Sequence, residues 1–273
     1  MARTTKKRAR QLKHDKFRDT TLGYADRVSH RFEGRWRTIL YAVAGLAALA
    51  ILLSVYSWWR GGRDDKARHA LAKAIEISET PVTTGTPQPG ATGPTFTNER
   101  ERAQKAVEEF QAVQRAYGSP YSELARYFAA VNLLTVERDK GLSELEALGR
   151  GGDNEVASRA KFALGQAREA DKQYDAAAAL YQELLKEKGK HVTENVLNLR
   201  LASVYEKQGK KDEAADLLFQ TVKAAREAKG KDDKPLPETA AVRAAATKLQ
   251  EISPERFAQL PQSSSPLGGG LPF

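Results

Sequence analysis

The stretches AKFALGQAREADKQYDAAAALYQELL (residues 160–185) and LRLASVYEKQGKKDEAADLLFQTV (residues 199–222) carry the same pattern of small and large residues. Counted from Leu164 and from Leu201, a small residue stands at offset 1, an alanine at offset 13 and a large side chain at offset 17. These spacings predict two consecutive helices that face each other. The small residues let the two helices approach closely, and the large residue packs into the next pair of helices.

The shared offsets are those of the tetratricopeptide pattern, a repeat of about 34 residues that folds as helix–turn–helix. The two units start 37 residues apart, so the connection between them is slightly lengthened. A degenerate earlier unit fits Ala106, Phe110, Tyr117 and the helix that follows, with GLSELEAL (141–148) as its partner helix. The sequence therefore predicts an all-α, tetratricopeptide-like solenoid of α-hairpins over residues 60–229, followed by a linker and a capping helix at 230–252.

Two segments lack this helical pattern. Residues 79–97, ETPVTTGTPQPGATGPTFT, hold four prolines and three glycines, which predicts a flexible loop. Residues 253–273 show no helical periodicity and are predicted to be a disordered tail. The tail is interpreted either as dispensable or as a short partner-binding motif, formed by Phe257, Leu260, Leu267, Leu271 and Phe273.

Residues 38–59 form a run of 22 residues without a charge. As a helix this run would extend roughly 33 Å, and a bilayer's hydrocarbon core is about 30 Å thick. A cleaved export signal is the alternative, but SVYSWWRGG (54–62) offers no small-x-small cleavage site. The sequence therefore predicts a single transmembrane helix at 38–59. Aromatic residues at its two ends are predicted to lie at the membrane interface: Trp36, Tyr41, Tyr56, Trp58 and Trp59.

The basic charge of the chain is concentrated before this run. The net charge is +9, and residues 1–37 carry 12 Lys/Arg against four Asp/Glu, so the rest is nearly neutral. This tail is interpreted either as a basic amphipathic helix on anionic lipid headgroups or as a solvated charge run that only sets orientation. The near flanks of the run carry equal positive charge. The basic tail as a whole predicts a cytoplasmic N-terminus and a C-terminal domain across the membrane. In a bacterial inner membrane, the location expected for this chain, that domain is periplasmic.

Catalytic and metal-binding signatures are missing from the sequence. There is no cysteine, and the four histidines stand at no metal-ligand spacing. GRGGD (149–153) is glycine-rich but lacks the Lys-Ser/Thr that a phosphate-binding loop needs. We therefore expect no enzymatic activity, no cofactor, no small-molecule substrate and no nucleic-acid partner.

A protein-binding groove is predicted along the first helix of each hairpin, where tetratricopeptide solenoids receive peptides or partner helices. The residues predicted to face this groove are Arg159, Phe162, Gln166, Glu169, Leu199, Ser203, Glu206 and Lys207. Their mixed charge indicates polar recognition of modest affinity. A solvated helix face with no partner is the alternative interpretation.

LKHDKF (12–17), the apolar run, YGSPYSELARYFAA (117–130) and the two hairpins together resemble the YfgM-like ancillary SecYEG translocon subunits. The resemblance covers the layout of about residues 12–228, and the loop at 79–97 and the long C-terminal tail depart from it. It implies a single-pass inner-membrane protein without enzymatic activity, whose partners are the translocon and periplasmic chaperones. The function predicted is a scaffold that assists secretory-protein translocation or chaperone handover. The alternative is an envelope-structural adaptor in cell division or outer-membrane assembly.

Overall fold

The structure is a computed structural model that describes residues 36–83, 94–151, 154–187 and 191–263, without the side chains of 36–40 and 55–60. Within these ranges the chain forms ten α-helices: α1 Trp36–Glu79, α2 Glu99–Ala116, α3 Tyr121–Val136, α4 Arg138–Gly149, α5 Glu155–Ala170, α6 Tyr174–Lys186, α7 Glu194–Lys207, α8 Lys211–Glu227, α9 Ala240–Ile252 and α10 Pro254–Phe257. The chain divides into two compact units, one ending at Asp65 and one beginning at Lys66.

The first unit contains the N-terminal part of α1. Its large apolar side chains are 52–73% exposed: Tyr41, Val43, Leu46, Leu49, Ile51, Leu52 and Leu53. Exposed apolar surface of this extent is typical of an interaction site.

The transmembrane helix predicted at 38–59 is not supported by the structure. Among the described residues, none of the helices combines the length and the apolar character needed to cross a membrane. α1 continues past the apolar run, through Gly61 and Gly62, into the charged residues 63–66. The fold class is therefore corrected to an all-α hairpin solenoid, and a transmembrane helix is not supported within the described residues.

Several predictions about the N-terminal region fall on residues outside the described part of the chain. These are the basic tail up to residue 35 and the side chains of Trp36, Tyr56, Trp58 and Trp59. Tyr41 is described and is 73% exposed. The inner-membrane location and the lipid contact of the tail stay predictions.

The second unit is built from consecutive helices that pack side by side. From α2 to α9 each helix contacts the next one, and α3 also contacts α5, as α7 contacts α9. A helix that packs on its neighbour and on the next helix but one is the arrangement of stacked hairpins in an α-solenoid. The predicted tetratricopeptide-like solenoid is confirmed in this unit.

The two hairpins with matching offsets are closed by small residues, as predicted. Ala177 of α6 and Ala202 of α7 are fully buried, and so are the large residues at offset 17, Tyr181 and Leu218. A Cβ atom on Gly165 would lie only 2.6 Å from Cε1 of Tyr181, so α5 and α6 approach as closely as they do because residue 165 has no side chain.

A third hairpin precedes them and is formed by α3 and α4. A Cβ atom on Gly141 would lie 2.7 Å from the backbone nitrogen of Leu134 and 3.0 Å from the carbonyl oxygen of Ala130. Leu145 follows Gly141 by four residues and is fully buried, as Tyr181 follows Ala177. The predicted degenerate unit combines Ala106, Phe110, Tyr117 and the helix that follows with GLSELEAL as partner helix. The structure packs α3 against both α2 and α4, the helix that contains GLSELEAL.

The described ends of the predicted flexible loop are anchored. Phe96 is 5% exposed and packs with Leu71, Ala74 and Phe110 in one apolar cluster. The backbone N–H of Thr83 donates to the carbonyl oxygen of Phe96 at 3.0 Å. Residues 84–93 of this loop lie outside the described residues.

The C-terminal residues up to 263 also differ from the predicted disordered tail. Phe257 of α10 and Leu260 pack against the cluster formed by α8 and α9. Arg226 of α8 donates to the carboxylate of Glu238 at 2.7 Å and to the carbonyl oxygen of Pro261 at 2.7 Å. α9 lies where the capping helix was predicted. Residues 264–273, with Leu267, Leu271 and Phe273, lie outside the described part.

Candidate protein-binding groove

The predicted groove residues lie on α5 and α7, the first helices of two successive hairpins. The structure joins these two helices through one ion pair near their C-terminal ends. The Lys207 ammonium lies 2.8 Å from Glu169, whose side chain is only 9% exposed. The Tyr181 hydroxyl donates to the other oxygen of the same carboxylate at 3.3 Å. Glu169 is therefore occupied by contacts within the protein.

A second ion pair joins the next two first helices. Glu206 of α7 lies 2.5 Å from the ammonium of Lys248 on α9. Glu169 and Glu206 stand 37 residues apart, which is the spacing of the two repeats. In both repeats this glutamate binds a lysine of the following first helix, and the pair therefore links neighbouring hairpins.

The apolar groove residues are partly covered. The Phe162 ring lies 5.8 Å from the Tyr181 ring, measured between centroids, at a tilt of 48°. Leu199 is half-buried against the cluster of α8 and α9. The Ser203 hydroxyl donates to the backbone oxygen of Leu199 at 3.0 Å.

Arg159 and Gln166 are the more open polar positions of α5. Arg159 is exposed, and its ion-pair partner among the described residues is Glu155, one turn away on the same helix, at 2.6 Å. Gln166 is half-buried, and its amide makes no hydrogen bond to any described residue. Side chains of this kind are free to exchange water for groups of a bound peptide.

Sequence reasoning missed Tyr127 of α3, which extends this surface to the preceding hairpin. Burial raises the pKa of Tyr127, and the nearby Arg159 guanidinium works against that rise. The two side chains are thus close enough to interact between α3 and α5. The repeat spacing could have identified Tyr127, because Tyr127 precedes Phe162 by 35 residues, close to one repeat length.

The ionisation of the Tyr181 hydroxyl, beside Glu169, has a measurable effect on stability. Burial first, and then the negative charge of Glu169, raise the pKa of Tyr181 well above its ordinary value of 10.0, although Arg200 opposes the shift. A raised pKa means that the fold favours the neutral phenol. Its contribution to stability is complete below pH 10 and is lost as the pH rises toward the folded-state pKa.

We expect wild-type protein to lose stability relative to Tyr181→Phe above pH 10, by about 1.4 kcal/mol per pH unit. Urea unfolding of both proteins at pH 8, 10 and 11 measures this difference. A difference that stays constant over this range would contradict the raised pKa.

Metal binding has no support in the part of the structure that is described, where no group of three His, Asp or Glu residues could hold an ion.

Comparison with known proteins addresses the repeat directly. Residues 197–232 match the family model described as tetratricopeptide repeat. The matched segment covers most of α7, all of α8 and the turn that follows. No curated protein and no solved structure matched the chain. The α7–α8 hairpin, which carries half of the predicted groove residues, is therefore a tetratricopeptide repeat.

Proposed function

We propose that the protein is a scaffold that binds a segment of a partner protein along the first helices of its hairpins. The observation that carries the proposal is the tetratricopeptide repeat at residues 197–232, because such repeats generally serve protein–protein interaction.

The chemistry of the groove indicates what kind of segment it would bind. Glu169 and Glu206 are already paired, so they hold the hairpins together and offer little to a ligand. Arg159 and Gln166 offer hydrogen-bond donors, and the half-buried Phe162 offers an apolar contact. A segment with both polar and apolar side chains fits this set. Few of its contacts would be fully desolvated, which favours modest affinity.

The identity of the partner is a finer proposal. The resemblance described above favours secretory chains or periplasmic chaperones as partners. Proteins of cell division or outer-membrane assembly are the alternative, since the same hairpin architecture serves both.

Site-specific photocrosslinking in intact cells tests both levels of the proposal. We expect a photoreactive amino acid at Gln166 to give crosslinked partners, and the same group at Gln220 to give few. Gln220 is a matched control because it is an exposed glutamine on α8, a second helix of its hairpin.

Equal crosslinking from both positions would contradict binding through the first helices. If Gln166 does crosslink, mass spectrometry decides the partner. Secretory chains or chaperones would support the first class, and division or assembly proteins would support the alternative.

A further inference from the structure

A second recessed surface lies on hairpins that the predicted groove does not use. It is a cleft of about 470 Å³ between α2, α3 and α4. Its floor is apolar and consists of the buried residues Ala129, Ala130 and Leu133 of α3. None of the predicted groove residues lines it, so it is a separate candidate site.

The rim of this cleft is polar and carries more positive than negative charge. One cation, Arg126, is paired with Glu144 at 2.8 Å, and both side chains are more than one-third exposed. Two further cations are not neutralised in this way. Lys140 is 54% exposed and has an acidic neighbour only at 3.9 Å, Glu137. Arg115 is exposed and forms no ion pair with the residues that the structure describes.

Two glutamines, Gln111 and Gln114 of α2, complete the rim beside Arg115. Neither amide is hydrogen-bonded to another described residue. An amide that carries both a donor and an acceptor can bond to the backbone of an extended peptide. The rim thus combines Arg115 and the weakly paired Lys140 with two amides above a small apolar floor.

We propose that this cleft binds a short acidic segment of a partner protein. Carboxylates of the segment pair with Arg115 and Lys140, its backbone bonds to Gln111 and Gln114, and a small apolar side chain rests on Ala129 and Leu133.

A nucleic acid fits this cleft less well than a peptide. Arg115 and Lys140 can replace only a few of the counterions that a phosphate backbone carries. The lining residues include no aromatic ring on which a base could stack. The cleft instead fits a narrow peptide chain that carries a few carboxylates.

The test uses the full chain and a fluorescein-labelled peptide of six Glu-Ala repeats, with binding followed by fluorescence anisotropy. We expect Arg115→Glu and Lys140→Glu each to weaken binding about tenfold, as expected when one attractive charge contact is lost and replaced by repulsion. Lys186→Glu and Arg243→Glu are matched controls. They make the same change in net charge at exposed positions on α6 and α9, and we expect less than a twofold effect.

The results of this experiment distinguish binding in the cleft from general charge attraction. Binding of the Glu-Ala peptide but not of a Gln-Ala peptide, lost only in the two cleft variants, supports the proposal. Equal weakening in the control variants would show general charge attraction and overturn it, as would absence of binding to the wild-type chain. Because α5 and α7 do not line the cleft, crosslinking at Gln166 can fail without affecting this result.

Discussion

Alanine in place of Tyr181 is expected to lower the free energy of unfolding by about 3–5 kcal/mol, the usual loss when a large aromatic core side chain is truncated. The ring is fully buried in the cluster that joins α6 to α7, against Leu197, Leu201 and Val204. Truncation also removes the hydroxyl that donates to the buried Glu169 carboxylate. Both effects act at the junction of two hairpins.

Urea unfolding followed by far-UV circular dichroism measures the loss. Tyr181→Leu is the matched variant, because the equivalent positions of the neighbouring hairpins hold the fully buried Leu145 and Leu218. We expect Tyr181→Leu to lose less than half as much stability as Tyr181→Ala. Losses of the same size from both variants, or a loss below about 1 kcal/mol from alanine, would show that the ring does not join the hairpins.

A loss of similar size is expected from Arg226→Met, about 3–5 kcal/mol. Arg226 and Glu238 form a buried ion pair at 2.7 Å, with side chains 10% and 4% exposed. Methionine would leave the Glu238 carboxylate buried without its cation. It would also remove the donor that binds the carbonyl oxygen of Pro261. We therefore expect residues 258–263 to detach from the cluster of α8 and α9.

Two measurements distinguish these effects. In the double variant Arg226→Met, Glu238→Leu, the buried charge is gone, and we expect most of the stability to return. Chymotrypsin should cleave near Phe257 and Leu260 faster in both variants, because neither can hold Pro261. A double variant as unstable as Arg226→Met alone would mean that the uncompensated charge is not the cause.

The sequence predicts the repeat hairpins because their spacing records the contacts between helices. Gly165, Ala177 and Tyr181 stand at fixed offsets, and the structure buries all three. The α3–α4 hairpin fits this spacing only as a degenerate unit, because only Glu137 separates its two helices. That short turn changes the spacing between the small residues of α3 and Gly141.

The sequence pattern did not predict the packing of two segments outside the repeats. The threonine- and proline-rich stretch before α2 predicts a loop, and that pattern does not reveal that Phe96 belongs to the core. At the other end, helical periodicity is too short to predict the packing of Phe257 and Leu260. In both places one or two apolar side chains outside the repeat pattern pack on a cluster formed by other elements, and such contacts leave no periodic signal.

The sequence predicts which positions line the groove, but it does not predict which contacts their side chains make within the protein. The repeat register gives Glu169 and Glu206 equivalent places, and the structure shows that both are paired with lysines of the next first helix. The partner of Glu206 is Lys248, in a helix that the repeat pattern does not include. Pairing across hairpins depends on how the hairpins stack, which cannot be read from one repeat.

The packing of α10 and Leu260 on the last cluster has a consequence for assembly. A stack of hairpins that ends in an open apolar face can accept the first hairpin of another molecule, and such head-to-tail contacts that do not close into a ring grow into filaments. Phe257 and Leu260 occupy that face from within the same chain. The C-terminal segment thus covers, from within the same chain, apolar surface that a second molecule would need for such a contact.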